Sequence, residues 1–282
     1  MRIVNTKELL LKAYHNGYAV PAINVDQTDT VTGVLRVCSE LNAPVIIQIA
    51  PIQVKKRDMK YETIIDTIYA LGKDFDVTVA IHMDHGTLED IIEAKDAGFS
   101  SVMYDGSHLL LEKNIENTKK ALQFAQYGTI EAELGIVGGT EGSSEQECAE
   151  DCYTSVAEAK KFLAETEVDF LAVAIGNAHG VYKSKPELNF GLLKELKECL
   201  DIPLVLHGAS GIVEEDIKKA IRLGIAKINF FTDVDRAFLS GIIKNIENNP
   251  SNYTFDCFAA GRTEMEQKVR EIVQMCGCMD KA

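Results

Sequence analysis

The chain has 282 residues, 43 of them acidic against 29 Lys plus Arg, a formal net charge of −14 with histidines neutral. That excess argues against nucleic acid or an anionic membrane surface as a partner, because both select a basic face. A hydrophobic fraction of 46% and a charged fraction of 26% suit an ordinary globular protein, no apolar run is long enough to span a membrane, and the length fits two average domains or one large α/β barrel.

The first stretch, MRIVNTKELLLKAY, carries charge and a short apolar run but no small-residue cleavage site. It reads as a helix over roughly 5–16 and not as a signal peptide. From there, apolar β-branched runs alternate with amphipathic stretches. AVPAINV (19–25) precedes a helical pattern over 27–41, PVIIQIA (44–50) one over 60–73, VTVAIHMD (77–84) one over 87–97, and SVMYD (101–105) one over 111–126. TIEAELG (129–135) leads through a long polar loop near 136–154 to a helix over 155–165. FLAVAIG (170–176) leads to 190–199, IPLVLHG (202–208) to 213–223 and IAKINF (225–230) to 232–246, and a final helix covers roughly 262–275. Runs that are apolar at nearly every position suit strands covered on both faces, as in a parallel sheet. Thr154-Ser155 and Thr232-Asp233 are suited to begin helices.

Eight strands alternating with eight helices is the count of a (β/α)8 TIM barrel, here with extra N- and C-terminal helices. A doubly wound open sheet is the competing arrangement, but no glycine-rich dinucleotide turn follows the first strand. No linker or composition shift divides the chain, so residues 1–282 are expected to form one domain. The seven cysteines are odd in number and scattered, which suggests reduced thiols and a cytoplasmic protein. Neither Cys276-Gly-Cys278 nor Cys148-x-x-x-Cys152 has a second pair at finger-like spacing.

A barrel carries its chemistry at the C-terminal ends of its strands. Four of six histidines fall at or near such ends: His85, His108, His179 and His207. Three neutral imidazoles converging from neighbouring strands make a zinc site with an open position, and His85, His179 and His207 are the chosen set. His82 is expected to pack inside the barrel, His108 to stabilise its loop and His15 to lie on the surface. Asp84, directly before His85, either serves as acid or base beside a metal or orients a ligand histidine; Asp105 is the better candidate for orienting one. Glu131 and Glu133 face the same side by strand alternation and need a cation nearby. Glu141, on the glycine-rich loop, is a mobile carboxylate able to close over a substrate, or a solvated loop charge. HGASG (207–211) and Asn229-Phe230-Phe231-Thr232 follow the last two strands, where barrels frequently bind phosphate, and Lys183 adds a positive charge. Lys227 lies inside the last strand, where it can be read as a covalent lysine; the histidine trio argues against that.

The strings HMDHGT, SVMYDGSH, EAELGIVGGTE, AVAIGNAHGVYK, LVLHGASG and AKINFFT resemble, in order and over essentially the whole chain, the signature blocks of class II metal-dependent ketose-bisphosphate aldolases. The length and the C-terminal CGC most resemble the tagatose-bisphosphate aldolases, beside the short fructose-bisphosphate aldolases. The resemblance implies reversible cleavage of fructose or tagatose 1,6-bisphosphate to dihydroxyacetone phosphate and glyceraldehyde 3-phosphate. It assigns Asp84 as the general acid/base, His85, His179 and His207 as zinc ligands, and Glu133 as part of an alternate metal position. Glu141 becomes the residue that exchanges a proton with the hydroxymethyl carbon. Substrate contacts fall on Asn24, Gly180, Gly208, Ala209, Ser210 and Asn229, Phe230, Phe231 and Thr232, with a sodium or potassium ion near the phosphate. Arg262 is the counterpart of an arginine that binds the far phosphate, often across a subunit boundary, in a homodimer or homotetramer.

Three strings depart from the family. Its Q-x-S-x-G-like string reads Gln48-Ile49-Ala50-Pro51-Ile52, its N-x-x-N-x-E reads Asn24-Val25-Asp26-Gln27-Thr28-Asp29, and GGQED or GGEED reads GGTEG. The metal and triose-phosphate halves are intact and the aldehyde half is altered, so an aldolase keeping dihydroxyacetone phosphate but taking another aldehyde is the alternative. A metal-dependent hydrolase on the same barrel would show H-x-H on its first strand, which reads AVPAINV. A non-catalytic, aldolase-like partner subunit would have lost ligands or the acid/base that are present here.

Overall fold

The computed structural model describes residues 1–124, 129–139, 152–182 and 185–282. In chain order the elements are β1 (Arg2–Ile3), α1 (Thr6–Asn16), β2 (Val20–Asn24), α2 (Thr28–Glu40), β3 (Val45–Ile49), α3 (Pro51–Lys56), α4 (Tyr61–Gly72), β4 (Thr78–Gly86), α5 (Leu88–Glu93), β5 (Ser101–Tyr104) and α6 (Leu111–Phe124). They continue with β6 (Ile130–Leu134), α7 (Val156–Glu165), β7 (Phe170–Val173), α8 (Phe190–Cys199), β8 (Leu204–Leu206), α9 (Glu214–Arg222), β9 (Ile225–Phe230), α10 (Thr232–Asn248) and α11 (Thr254–Cys276). Among the described residues, no helix is long and apolar enough to cross a membrane.

Strands β2 to β9 pair in parallel in sequence order, and β2 also pairs with β9, so the eight close into a barrel with helices outside. This is the (β/α)8 architecture expected from the alternation of runs. β1 was not anticipated. It pairs with Thr78 and Val79 at the start of β4, before β5 joins β4 at His82 opposite Ser101. Staggered strands leave the lower edge of the nine-residue β4 without a partner, and two residues of β1 satisfy its backbone groups.

Every residue of β2, β3, β6 and β9 is buried, as the continuous apolar runs required. Alternation still sorts them. Asn24, Gln48, His82, Asp84, Glu131, Lys227 and Asn229 meet one another inside the barrel, while Phe230 points out into the apolar layer under the helices.

Some boundaries differ from expectation. The helix expected over 87–97 stops at Glu93, and the last helix starts at Thr254. Helix α3 was not anticipated. Pro51 starts it, and the Gln53 side chain reaches back to accept the Ala50 N–H at 2.8 Å. Thr232 does begin α10, but the cap comes from another loop: Ser210 Oγ accepts the Asp233 N–H at 3.2 Å. Helices α10 and α11 pack backbone to backbone at Gly241 and Gly261, where a side chain on either would overlap the other helix.

The turn after β4 is held by Asp90, which accepts from the Thr87 N–H and hydroxyl at 3.1 and 2.7 Å, the Tyr61 hydroxyl at 3.1 Å and the Lys55 ammonium at 2.8 Å. Burial pushes its carboxyl up, but Lys55 and Thr87 outweigh burial and hold it below the ordinary value. A depressed carboxyl stabilises the fold above the unfolded pKa of about 4, and that stability is lost as pH falls through the folded value. Asp90→Asn is expected to cost about 1–3 kcal/mol at pH 7 in urea denaturation. The gap from wild type should narrow as the pH drops below about 4; an equal gap at both pH values would contradict the account.

Candidate functional site

Met83 of β4 pairs with Val102 and Gly86 with Tyr104, three steps along β4 against two along β5. The extra residue is a β-bulge containing Asp84 and His85. His85 sits in the left-handed region with φ +52°, which costs a non-glycine residue on the order of 1–2 kcal/mol. On a regular strand these neighbours would face opposite sides. With the bulge, both reach the barrel mouth.

His85 Nδ1 lies 2.8 Å from Asp105 Oδ2, and Asp105 Oδ1 accepts the Ser107 N–H and hydroxyl at 3.1 and 2.7 Å. His207 Nε2 lies 2.8 Å from Glu131 Oε1. Ionised carboxylates only accept, so the proton on each of these edges belongs to the ring. The opposite nitrogens, His85 Nε2 and His207 Nδ1, then face each other at 3.0 Å as lone pairs, which repel unless a proton or a metal cation lies between them. His179 completes the group: one nitrogen from each of the three rings lies within 4.8 Å of the others. Burial keeps His207 below its ordinary pKa and, with charge on its two neighbours, His179 far below. Burial lowers His85 too, but Asp84 and Asp105 outweigh it and raise the ring well above its ordinary value. These residues fit a metal: each of two rings is oriented by a carboxylate and directs its free nitrogen inward.

Glu133 adds to the fit. Its Oε2 is buried with no hydrogen-bond donor among the described residues and lies 3.4 Å from His207 Nδ1. Burial and Asp105 push this carboxyl up to about 8. Glu133, Asp105 and His85 form a second group able to hold a cation.

Asp84 is fully buried. Its Oδ2 accepts from Asn24 Nδ2 at 3.0 Å and its Oδ1 from Asn229 Nδ2 at 3.1 Å, while Gln48 Nε2 donates to Asn24 Oδ1 at 3.0 Å. The Gln48 bond fixes which way the Asn24 amide points. Burial raises the Asp84 carboxyl, but His85, His207, Lys227 and the Asn24 amide hold it down at about 2. It is therefore ionised at neutral pH and aimed by two amides.

The recess beside this centre is lined by His179, Gly180, Gly208, Ser210, Asn229, Phe231 and Thr232. A side chain at Gly208 would collide with the Ala178 carbonyl, so only glycine lets the two loops meet there. Ala209 is spoken for through its N–H, which donates to the Asn229 carbonyl at 3.3 Å, and Phe230 offers only backbone. Arg262 stands apart on α11, donating to Asp29 Oδ1 at 2.7 Å. Glu141 and Lys183 lie outside the described residues. His15 is exposed, as expected; His108, expected to stabilise its loop, is exposed as well.

Sequence reasoning noticed Glu131 and Lys227 without assigning their task. Lys227 Nζ lies 2.8 Å from Glu131 Oε2, both fully buried, and His82 Nε2 lies 3.3 Å from the same oxygen, off the line of a hydrogen bond. His82 Nδ1 meets Ser101 Oγ at 2.7 Å. Period-2 counting from Glu133 and Asn229 was the available signal; the pairing itself joins strands distant in sequence. With zinc as the probe ion, Glu131→Gln is expected to weaken metal binding at the three-histidine group about 10–100-fold and to cost about 3–5 kcal/mol, because Lys227 is left buried without an anion. Adding Lys227→Met should recover stability but not zinc affinity. Chelator competition and denaturation measure the two, and unchanged zinc affinity in Glu131→Gln would contradict the role.

Comparisons with known proteins agree with this geometry. The family model described as "Fructose-bisphosphate aldolase class-II" matches residues 4–281. The crystal structure of the YdjI aldolase from Escherichia coli K12 is similar at 33% identity over 99% of each chain, with a TM-score of 0.87. The fructose-bisphosphate aldolase of Campylobacter jejuni is similar at 25% identity over 100% of this chain and 97% of that one, with a TM-score of 0.83. The chain belongs to the class II fructose-bisphosphate aldolase family and is a lyase built on a (β/α)8 barrel.

Proposed function

We propose that this enzyme is a zinc-dependent aldolase cleaving fructose or tagatose 1,6-bisphosphate to dihydroxyacetone phosphate and glyceraldehyde 3-phosphate. The observation that carries the reading is the shared use of Asn229: its amide holds Asp84 while the residue itself lines the recess. A phosphate seated there places its sugar beside the ionised carboxylate and the three histidines. A zinc ion held by His85, His179 and His207 would stabilise the negative charge that grows on the substrate's oxygens as the carbon–carbon bond breaks.

The chain's own residues do the rest. Gly180, Gly208, Ser210 and the start of α10 receive the phosphate, with Lys183 and a sodium or potassium ion contributing positive charge. Asp84 takes the proton from the hydroxyl next to the breaking bond and returns it in the reverse reaction. Asn24 and Asn229 keep its two oxygens aimed. Glu141 moves the proton at the hydroxymethyl carbon of the three-carbon fragment.

A second reading, another aldehyde with the same donor, is favoured by α3. Ala50 cannot donate to a substrate, and Gln53 is folded back onto its backbone. Comparable turnover of fructose and tagatose 1,6-bisphosphate at ordinary rates would count against it.

The enzyme is read as a homo-oligomer of the cytoplasm. Leu239, Ile243 and Ile246 form an exposed stripe on α10, and the exposed rings of Tyr253 and Phe255 stack at 5.4 Å nearby in the chain. Free thiols at Cys38, Cys257, Cys276 and Cys278 suit a reducing compartment. Arg262, held to Asp29 through Nη1, is read as the group that meets the far phosphate.

A coupled assay for dihydroxyacetone phosphate, run over ketose 1-phosphates and 1,6-bisphosphates, tests the activity. Chelation should abolish cleavage and zinc should restore it. Asp84→Asn should lower kcat by at least about 100-fold with zinc still bound; near-wild-type turnover of that variant or of the metal-free enzyme would refute the mechanism. Ile243→Glu should move the mass measured by light scattering from oligomer to monomer, and an unchanged mass would place the interface elsewhere.

A further inference from the structure

His179 differs from the other two histidines in having no strand beneath it. It lies six residues past the end of β7, in irregular chain, and its position depends on what ties that loop down. Its own N–H donates to the Gly138 carbonyl at 2.7 Å. The Ile175 carbonyl accepts the Asn189 N–H at 2.8 Å, and further ties reach the loop after β8. Asn177 Oδ1 accepts the Ile175 N–H at 2.8 Å, and its Nδ2 donates to the His207 carbonyl at 3.1 Å. The Tyr182 hydroxyl accepts the Ala178 N–H at 2.8 Å and donates to the Gly208 carbonyl at 2.9 Å.

The Tyr182 bridge is unusual in what it connects. Ala178 directly precedes His179, and Gly208 directly follows His207. One oxygen therefore fixes the spacing of two metal-ligating histidines through their next neighbours. The same two loops carry Gly180 and Ser210, which line the anion recess. Gly208 has room for no side chain because the Ala178 carbonyl lies against it, so the junction is closed and a small change in spacing is felt on both sides.

We infer that Tyr182 is a positioning residue: its hydroxyl is a strut that sets the gap between His179 and His207 and couples the metal centre to the phosphate recess. The inference rests on the metal-dependent reading, but its test does not require turnover. Tyr182→Phe removes the one oxygen and keeps the ring that covers Gly211, so folding should be retained. Zinc affinity, measured by chelator competition, should fall about 10-fold. The visible absorption bands of the cobalt(II)-loaded protein, which report the ligand geometry, should shift. The KM of whichever phosphorylated ketose is cleaved should rise about 5-fold, the loss of roughly one hydrogen bond. Denaturation of the metal-free protein separates these effects from simple destabilisation. Zinc affinity and cobalt bands equal to wild type would overturn the inference, with or without a loss of stability. Absence of cleavage by the wild-type protein would instead sink the functional reading, while the zinc and cobalt measurements still decide the strut.

Discussion

Glu131 is a carboxylate at the centre of a packed barrel, and the arrangement around it follows from keeping its charge there. An isolated buried ion costs several kcal/mol. The Lys227 ammonium and the His207 ring N–H converge on its two oxygens, and the His82 ring stands against the second. Once the outer nitrogen of His207 is committed to Glu131, its inner nitrogen must face His85. Asp105 commits the other edge of His85 in the same way. Two carboxylates thus choose the tautomers of two histidines of the candidate metal site, which is the usual way such outer partners matter to affinity.

The barrel also solves a problem of direction. The proposed mechanism needs a base and a metal ligand side by side, yet neighbouring residues on a strand point apart. The bulge at Asp84 and His85 removes the conflict at the expense of a left-handed backbone at His85. Such strain persists where surrounding contacts over-determine it. Here Asp84 is gripped by two amides, and His85 lies between Asp105 and His207.

The formal charge of −14 describes the surface and says little about the site. Inside the barrel Lys227 is paired with Glu131 and His85 with Asp105, so on the proposed reading the charge that receives an anionic sugar phosphate comes from the bound metal ion and the start of α10. Low-dielectric walls screen that charge less than water does, so a few groups outweigh many distant carboxylates.

Much of this was legible in the sequence. Apolar runs recurring eight times gave the barrel, because strands covered on both faces must be apolar nearly throughout. His85, His179, His207, Asp84 and Asp105 stood out because polar groups at strand ends are costly to place without a use. Alternation put Glu131 and Glu133 on one face, whereas the inward placement of Lys227 and Asn229 came from the structure. What tertiary structure decided is pairing across distance. Glu131 meets Lys227 and His207 across 96 and 76 residues, and Asn229 meets Asp84 across 145. Neither the bulge at Asp84, the capping of α10 by Ser210, nor the Tyr182 bridge leaves a local mark, because each depends on two loops or strands meeting in register. Local pattern fixes which face a side chain takes; only closure of the sheet fixes what it finds there.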